Sequence, residues 1–410
     1  MFKIIPRFKI DCCIRHIVTS KLKMSVLEDH NVVLNDSLKR LHEECSGINQ
    51  TTKKACLEVD KIRKKKIAML VVYSGLGYLG LQRNPGRKTI EEELMVSLLK
   101  CNLITEEVFN QPQLIQFQRA ARTDKGVSAI RQILSMKLPE DANVDNINMN
   151  LPPQIRAIAI RRVTKGFNCK SACDARTYSY MLPTFALDLH SNHINVNYKV
   201  PEEIIDNVNE VLTAYQGTHN FHNFTSRKLS LDPSAIRYIM SLHCGEPFTI
   251  NDMEFVVVKI KGQSFMLHQI RKMIGLMISI VRGLAANDII SKAYDLEKLD
   301  IPMAPGLGLL LEEIHYDNYN KRYGNDGIHE PLEWSSFENE IEDFKKKYIL
   351  PTIVDTEKNE NSMLSWLETL HNHSFDTSRQ NMLNNHIVNE EKEPNVEVKN
   401  AVVLTLEKLS

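Results

Sequence analysis

The sequence predicts an α+β protein in which two halves, each rich in βαβ units, form one central mixed sheet with a cleft between them. Three observations support this prediction. Short apolar runs with strand spacing alternate with amphipathic helical segments through the middle of the chain. A hydrophobic fraction of 43% in 410 residues allows a sizeable core. A turn motif with a single carboxylate lies beside a predicted strand, where a sheet can hold a reactive group in place.

The first half of the sequence contains strand and helix patterns in alternation. Residues 67–73 form a valine-rich apolar run that ends at Ser74 and Gly75, which is typical of a buried strand. A helix is predicted to begin at Thr89, because Thr89 and Glu92 have the spacing of a capping box. The other segments predicted here are strands at 114–121, 132–138 and 155–163 and a helical or loop segment at 141–151.

The second half follows a similar pattern. Tyr178, Tyr180 and Leu182 alternate along the chain and would share one face of a strand. An amphipathic helix is predicted to start at Pro201, with two glutamates in its first turn. The remaining elements predicted here are strands at 237–243 and 254–261, a helix at 267–281, and a turn at 303–308 that leads into a last strand.

The formal net charge is zero, but the charges are unevenly distributed. Residues 119–176 contain eleven Lys or Arg and five Asp or Glu, whereas residues 331–410 contain eight Lys or Arg and fifteen Asp or Glu. A basic segment beside an acidic one is typical of a protein that binds a polyanion and carries a solvated extension. Ordinary surface charge is the alternative, so composition alone leaves nucleic-acid binding open.

The C-terminal residues 321–410 are predicted to form an acidic extension that is partly disordered. A helix is predicted at 333–348. The segment after Pro351 is rich in Asn and Glu, which predicts disorder with one short helix near Trp366.

The N-terminal residues 1–65 are predicted to be a leader followed by a basic linker. Residues 1–27 contain six Lys or Arg and one acid, a composition that resembles a mitochondrial presequence. Met24 offers a second start that would discard this leader, and the basic run at 61–66 has the composition of a nuclear address. The sequence therefore predicts a protein of the mitochondrion and the nucleus.

The cysteines and the apolar runs argue against several classes of protein. Eight cysteines are scattered without Cys-x-x-Cys spacing, which suits reduced thiols better than a disulfide framework or a zinc site. The apolar run at 273–281 is too short to span a membrane. His219 and His222 have the spacing of metal ligands, but no third ligand is suitably placed, so no metal site is predicted.

One short stretch, ARTDKGVS at residues 121–128, combines a lone carboxylate, two cations and a glycine. The glycine allows a tight turn, and the strand predicted at 132–138 follows closely. We therefore expect Asp124 on a loop at a strand end, where the sheet can fix a reactive group. A surface ion pair would explain the same residues, so the assignment depends on the rest of the chain.

The ARTDKGVS stretch resembles the catalytic loop of the TruA-type tRNA pseudouridine synthases, and its Lys125 is similar to the eukaryotic, multi-site branch of that family. Other stretches resemble further motifs of the family. They are YSGLGYLGLQ at 73–82, DARTYSYMLP at 174–183, GQSFMLHQIRKMIG at 262–275 and MAPGLGLLL at 303–311. The resemblance covers roughly residues 66–316.

This resemblance implies a fold and an activity. The fold would consist of two ferredoxin-like halves, at 66–182 and 183–320, that form the central sheet with Asp124 at the floor of the cleft. The activity would be the isomerisation of uridine to pseudouridine at several tRNA sites, with small nuclear and messenger RNAs open as further substrates. The reaction involves no redox change and no external atom, so it requires no cofactor. No obligatory protein partner is evident.

The resemblance also assigns roles to individual residues. Asp124 would be the catalytic carboxylate, and Arg271 would pair with it, because a buried carboxylate needs a charge partner. Tyr178 would stack on the base and help to remove the proton from C5, and Arg122 would fill the gap that a flipped nucleotide leaves. The remaining residues expected to contact RNA are Gln82, Lys125, Arg161, Arg162, Lys165, Lys170 and Arg176.

Two other interpretations of the sequence stay open. The GLGYLG stretch at 75–80 matches the glycine spacing of a dinucleotide-binding turn. Against it, the predicted helix begins only at Thr89, whereas phosphates need a helix N-terminus directly after the glycines. A non-catalytic RNA-binding protein would have the same basic surface, but it would tolerate changes at Asp124.

Overall fold

The computed structural model describes residues 63–189 and 197–375. The predicted leader at 1–27 and the second start at Met24 lie outside these residues. The localisation to the mitochondrion and the nucleus therefore stays a prediction.

The basic run at 61–66, which we interpreted as a nuclear address, continues into the first strand. Lys66 is buried there. Its Nζ donates a hydrogen bond of 2.9 Å to the carbonyl of Gln116. At least this residue of the run is therefore part of the folded sheet.

Among the described residues, ten strands form one mixed β-sheet. The strands are β1 (Lys64–Tyr73), β2 (Gln118–Arg119), β3 (Ser128–Pro139), β4 (Ile155–Arg162), β5 (Ala175–Pro183), β6 (Gly217–Asn220), β7 (Ile236–Cys244), β8 (Phe248–Ile250), β9 (Met253–Gly262) and β10 (Leu309–His315). Their order is β4-β1-β3-β10-β5-β9-β7-β6, with β2 paired to β3 and β8 paired to β9. The β10–β3 pair is parallel and the other pairs are antiparallel. The prediction of an α+β fold with one large mixed sheet is confirmed.

The helices of the described chain are mostly short. They are α1 (Ile90–Lys100), α2 (Glu106–Asn110), α3 (Val144–Met149), α4 (Glu202–Thr213), α5 (Gln269–Val281), α6 (Ile289–Lys292), α7 (Asp317–Tyr323), α8 (Glu338–Phe344), α9 (Leu350–Glu360) and α10 (Ser362–Leu367). Single 3₁₀ turns occur at Pro112–Ile115, Thr184–Leu187, His222–Phe224, Pro233–Ala235, Ser335–Phe337 and Leu370–Asn372, and a π-helical turn, Lys345–Ile349, joins α8 to α9. None of the helices described here is long and apolar enough to cross a membrane.

Two helices form for the reasons that the sequence indicates. At the start of α1 the Thr89 hydroxyl accepts a hydrogen bond of 3.3 Å from the backbone N–H of Glu92, as an N-cap residue does. The apolar residues at helical spacing in α4 are buried, and this helix packs against α5. Just after α4, the hydroxyl of Tyr215 donates a hydrogen bond of 3.0 Å to the carbonyl of Met273 in α5.

The strand predicted at 114–121 is wrong for most of its length. Pro112–Ile115 forms a 3₁₀ turn, and Gln116 adopts the left-handed conformation with a φ of 53°. Only Gln118–Arg119 pairs with β3. The proline fixes its own φ near the helical value, which favours a turn at this point.

Disorder directly after Pro351 is also wrong for the residues that the structure describes. Pro351 lies in the first turn of α9, where the missing N–H of proline costs no hydrogen bond. The short helix predicted near Trp366 is present as α10. The acidic tail beyond residue 375 lies outside the described residues.

The extension packs against the sheet. Arg131 in β3 forms an ion pair of 2.5 Å with Glu338 in α8. Lys345 lies 3.6 Å from Glu312 in β10. Such partly exposed pairs contribute little stability, so burial of apolar side chains holds the extension in place. The buried residues are Ile341, Phe344, Ile349, Ile353, Val354, Met363 and Leu367.

Gly308→Ala should destabilise the fold strongly. A Cβ at this position would lie 2.0 Å from the carbonyl oxygen of Met181, a backbone atom that cannot turn aside. We expect the free energy of unfolding, measured by urea denaturation, to fall by about 3 kcal/mol or more, at the upper end for overpacking. The control is Gly166→Ala, where a Cβ would meet no atom within 4 Å. Equal stability of the two variants would disprove this tight contact.

Candidate active site

A cleft of about 680 Å³ lies beside the ARTDKGVS stretch, which we call the Asp124 loop (residues 121–128). The segment 264–271, which ends in the first turn of α5, lines the cleft as well. Eight of the eleven predicted site residues line it: Gln82, Arg122, Asp124, Lys125, Lys170, Arg176, Tyr178 and Arg271. The fold thus brings together residues from motifs that are far apart in the sequence.

Two glycines of the turn that follows β1 lie against the backbone of the Asp124 loop. A Cβ on Gly75 would lie 2.4 Å from the carbonyl oxygen of Val127. Gly80 has a φ of 104°, and a Cβ there would lie 2.7 Å from the carbonyl oxygen of Thr123. Only glycine allows such an approach without displacing the loop.

Backbone hydrogen bonds join the same two segments. The N–H of Leu81 donates to the carbonyl of Thr123 at 3.1 Å, and the N–H of Gly126 donates to the carbonyl of Tyr78 at 3.2 Å. The Asp124 loop is therefore connected on both sides of its aspartate to the turn after β1.

Two buried side chains hold the Asp124 loop to the sheet. Gln132 of β3 accepts a hydrogen bond of 3.2 Å from the N–H of Ala121 and donates one of 3.0 Å to its carbonyl. The hydroxyls of Tyr73 and Thr123 are 2.8 Å apart. Burial raises the pKa of Tyr73 to about 12, so this residue stays a neutral phenol.

Arg271 faces the cleft but does not form the predicted ion pair with Asp124. Between these two described residues, no guanidinium nitrogen of Arg271 lies within 4.0 Å of a carboxylate oxygen of Asp124. The Nε of Arg271 instead donates a hydrogen bond of 2.7 Å to the carbonyl of Ala304, and the N–H of Ala304 donates one of 3.1 Å to the carbonyl of Arg271. Burial lowers the pKa of Arg271, while Tyr180 and Asp124 act in the opposite direction. The guanidinium is thus held at the cleft by the turn before β10, within the electrostatic influence of Asp124.

An imidazole lies closer to Asp124. The Nε2 of His268 is 3.8 Å from the Oδ2 of Asp124. His268 immediately precedes α5 and has a φ of 63°, which is uncommon for a residue other than glycine. Burial lowers the pKa of His268, Asp124 raises it, and Arg271 and Lys272 lower it further. The net lowering makes His268 neutral near pH 7.

Tyr178 of β5 contributes an aromatic surface to the cleft. Its ring packs edge-on against Phe265, with the ring centres 5.3 Å apart and the planes at 83°. Burial raises the pKa of Tyr178 far above its ordinary value, although nearby Arg176 opposes this. The residue is therefore a neutral phenol that can stack or donate a hydrogen bond.

Comparison with known proteins identifies this arrangement. A family model described as tRNA pseudouridine synthase matches residues 211–317. The pseudouridylate synthase 1 homolog of Mus musculus is 49% identical over 320 residues, which cover 77% of this chain and 76% of the mouse protein. The Homo sapiens protein of the same name is 49% identical over 314 residues, with 75% and 74% covered. The tRNA pseudouridine synthase 1 of Yarrowia lipolytica is 33% identical over 392 residues, with 74% of each chain covered.

The chain belongs to the tRNA pseudouridine synthase family. Some solved structures resemble it much more distantly. A structure of an H/ACA ribonucleoprotein bound to a substrate RNA is 13% identical with a TM-score of 0.20, covering 55% of this chain and 54% of the other. The family assignment does not use that distant likeness and rests on the sequence relatives.

Family membership rules out the dinucleotide-binding interpretation of GLGYLG, and the geometry explains the glycines in another way. Gly75 and Gly80 face the Asp124 loop of the synthase. This loop occupies the space that the phosphate of a bound dinucleotide would need. Helix α1 begins at Ile90, after a further turn, and not directly after the glycines. These glycines therefore position the aspartate.

Three predicted RNA contacts lie outside the cleft of this synthase. Arg161 forms an ion pair with Glu330 and lies 5.7 Å from the ring centre of Phe337, so residues of the extension engage its charge. Arg162 and Lys165 are exposed. Successive strand residues point to opposite faces, which separates Arg161 from Arg162 although they are adjacent in the sequence.

Arg176 lines the cleft, but much of its guanidinium is bound to the protein. Its Nη2 and Nε donate to the carbonyl of Ala120 at 2.8 and 3.3 Å, and its Nη1 donates to the carbonyl of Gln263 at 3.0 Å. Arg176 therefore links the segment that enters the Asp124 loop to the end of β9. This leaves it fewer free donors for RNA than its predicted role assumed.

Two nitrogen-bearing basic side chains of the cleft, those of His268 and Arg237, were missed by sequence reasoning. His268 lies within the motif at 262–275, and its membership of that motif is the one signal that could have marked it as a candidate. Arg237 lies in β7, and no feature of its neighbours in the sequence distinguishes it from an ordinary residue of a strand.

Gln132→Met should loosen the Asp124 loop. The thioether cannot replace the amide, so the N–H and carbonyl of Ala121 would lose their buried partner, at a cost of about 1–3 kcal/mol. We expect a fall of that size in the free energy of unfolding, measured in urea, together with slower isomerisation. Gln113→Met, at an exposed position, is the control. Wild-type stability and rate in the Gln132 variant would show that this contact does not hold the loop.

His268→Asn should weaken the pH dependence of stability. The folded protein lowers the pKa of His268 below its ordinary 6.5. The unfolded state therefore binds more protons near pH 6, and the free energy of unfolding falls as the pH decreases from about 7.5 to about 5.5. Asparagine tolerates the left-handed conformation and removes this contribution, so the variant should show a shallower fall. Exposed His243→Asn is the control, and identical slopes in all three proteins would argue against a lowered pKa at His268.

Proposed function

We propose that this synthase isomerises uridine to pseudouridine in tRNA and that Asp124 is the catalytic carboxylate. Family membership makes the chain an isomerase that acts on tRNA. One observation supports the choice of Asp124: it is the single carboxylate among the described residues that line the cleft. Six other lining residues are cationic, namely Arg122, Lys125, Lys170, Arg176, Arg237 and Arg271.

The reaction needs a carboxylate at the sugar. The bond between N1 and C1′ breaks, the base turns, and a bond forms between C5 and C1′, while C5 loses a proton and N1 gains one. Carboxylates suit such a glycosidic centre because they stabilise its oxocarbenium character or trap it covalently. Asp124 would either attack C1′ or remove a neighbouring proton of the ribose.

Arg271 and His268 would act on Asp124 when RNA fills the cleft. In the free protein Asp124 is not held in an ion pair by Arg271, so its carboxylate is available to the ribose. Bound RNA would exclude water and strengthen the attraction between Asp124 and Arg271. The neutral imidazole of His268 lies 3.8 Å from the carboxylate, and a small movement toward it on RNA binding would allow a hydrogen bond that orients the carboxylate without neutralising it.

Tyr178 and the cations would hold the nucleotide. The neutral phenol of Tyr178 can stack on the flipped nucleobase. Because the phenol stays protonated, it is not available as the proton acceptor for C5. Arg122 is exposed at the cleft and would occupy the space that the extruded nucleotide leaves. Lys125, Lys170 and Gln82 would contact the RNA backbone, and the Lys contacts would make affinity sensitive to salt.

We also propose that two ferredoxin-like halves, at 66–182 and 183–320, build the sheet. The outer strands support this division, because β4, β1 and β3 of the first half lie on one side and β9, β7 and β6 of the second half on the other. The two central strands are exchanged, since β10 of the second half pairs with β3 and β5 of the first half pairs with β9. Asp124 then comes from the first half and Arg271 from the second.

Modification of several tRNA sites, and of small nuclear or messenger RNA, would require the cleft to accept different RNA surroundings.

Asp124→Ala should bind tRNA and form no pseudouridine. The loop around Asp124 is held by backbone contacts that do not involve its carboxylate, so we expect unchanged stability in urea and unchanged tRNA affinity. Pseudouridine mapping in tRNA measures the product. The control is Asp141→Ala, an exposed carboxylate outside the cleft. Product formation by Asp124→Ala would refute the assignment, and a wild type without product would favour a non-catalytic RNA-binding protein.

A further inference from the structure

The loop that precedes β7 carries two leucines that face solvent. We call residues 226–232 the leucine loop. Leu229 is 80% exposed and Leu231 is 81% exposed. Apolar surface left in water costs about 25 cal/mol per Å² compared with burial. Single exposed leucines are common, but two on one projecting loop form a patch that suggests a contact.

The leucine loop is braced internally. The Nζ of Lys228 donates hydrogen bonds to Asp232 Oδ2 at 2.7 Å and to Ser234 Oγ at 2.6 Å. Asp232 also accepts a hydrogen bond of 2.8 Å from the N–H of Ser234. The side chain of Asn220 donates one of 2.6 Å to the carbonyl of Ser230. These bonds fix the shape that presents the leucines, which reduces the entropy lost when they bind a partner.

The segments on either side of the leucine loop connect to residues that line the cleft of the synthase. Just before the loop, the hydroxyl of Thr225 donates a hydrogen bond of 2.9 Å to the carbonyl of Leu267, a residue that lines the cleft. After the loop and the 3₁₀ turn Pro233–Ala235, the chain enters β7, where Arg237 lines the same cleft. A ligand that extends out of the cleft on this side therefore meets the leucine loop.

The surroundings favour RNA as the partner of the leucines. The cleft that adjoins the leucine loop is lined by six Lys or Arg and one carboxylate, so its ligand is a polyanion. Leucine side chains contact nucleic acids by packing against base faces or by wedging between bases that have lost their stacking. The cleft also exposes apolar side chains, among them Leu267 at 54%, so the positive charge of the cleft, and not a lack of apolar surface, is what favours RNA over a protein partner.

We propose that the leucine loop is an RNA wedge, in which Leu229 and Leu231 pack against bases next to the flipped uridine. The proposal rests on the proposed function, because it requires tRNA in the cleft. When the uridine leaves the stack, its neighbours lose stacking partners, and the leucines replace part of that contact. The wedge stabilises the everted state through apolar contact and adds no bond to phosphate.

The test compares the double variant Leu229→Ser/Leu231→Ser with the wild type and with the control Leu114→Ser/Met149→Ser. The control residues are 49% and 82% exposed and lie outside the cleft lining. All three proteins should have the same stability in urea, because the substituted side chains are exposed. We expect tRNA affinity and kcat/KM to fall about tenfold in the leucine-loop variant, as for the loss of one stacked base, and to stay unchanged in the control. The slope of log Kd against log salt concentration should not change, because no phosphate contact is removed.

Each other outcome is decisive. Wild-type affinity and kcat/KM in the leucine-loop variant, while the wild type forms pseudouridine, would overturn the wedge and leave the proposed function intact. Absence of pseudouridine with the wild type would overturn the proposed function itself. A shallower salt slope would reveal an electrostatic contact and overturn the wedge. So would sedimentation that shows a dimeric wild type and a monomeric variant with equal tRNA affinity, because the leucines would then join two copies of the chain.

Discussion

The position of Asp124 depends on the close approach of two backbone segments, the turn after β1 and the Asp124 loop. They lie so close together that the turn has no room for a Cβ atom at the points of contact. Gly75 and Gly80 lie directly against the Asp124 loop, so this loop cannot shift without moving the end of β1 and the start of α1. The same device recurs at α5, where a Cβ on Gly275 would lie 2.3 Å from the carbonyl oxygen of Pro302. We therefore expect the site to be rigid before RNA binds, which would reduce the ordering that the reaction requires.

Charges act within this rigid frame. Arg271 is bound to the turn before β10 and His268 is neutral, so Asp124 shares the cleft with both without being held by either. In the mechanism that we propose, the surrounding cations attract the RNA backbone, and Tyr178 offers a neutral ring to the base. Attraction of the polyanion and reaction at the ribose would thus depend on different side chains of one cleft.

The sheet was largely predictable because its strands are apolar runs bounded by turn residues, and the residues of the cleft were predictable where they belong to motifs. The sequence could not show that Gln116 adopts a left-handed conformation and interrupts an apparent strand. It also could not show that Arg161 pairs with Glu330, which is 169 residues away in the extension. The nearness of His268 to Asp124 depends on one unusual backbone angle, which no residue pattern specifies.

Hydrogen exchange at the Asp124 loop tests most directly whether the site is fixed before RNA binds. The informative amides are those of Leu81, Gly126 and Val127, which donate to the carbonyls of Thr123, Tyr78 and Asp124. Slow exchange in the free protein, little changed by tRNA, is the result that a rigid loop predicts. Fast exchange that becomes slow only when tRNA is added would show that RNA, and not the fold, places the aspartate.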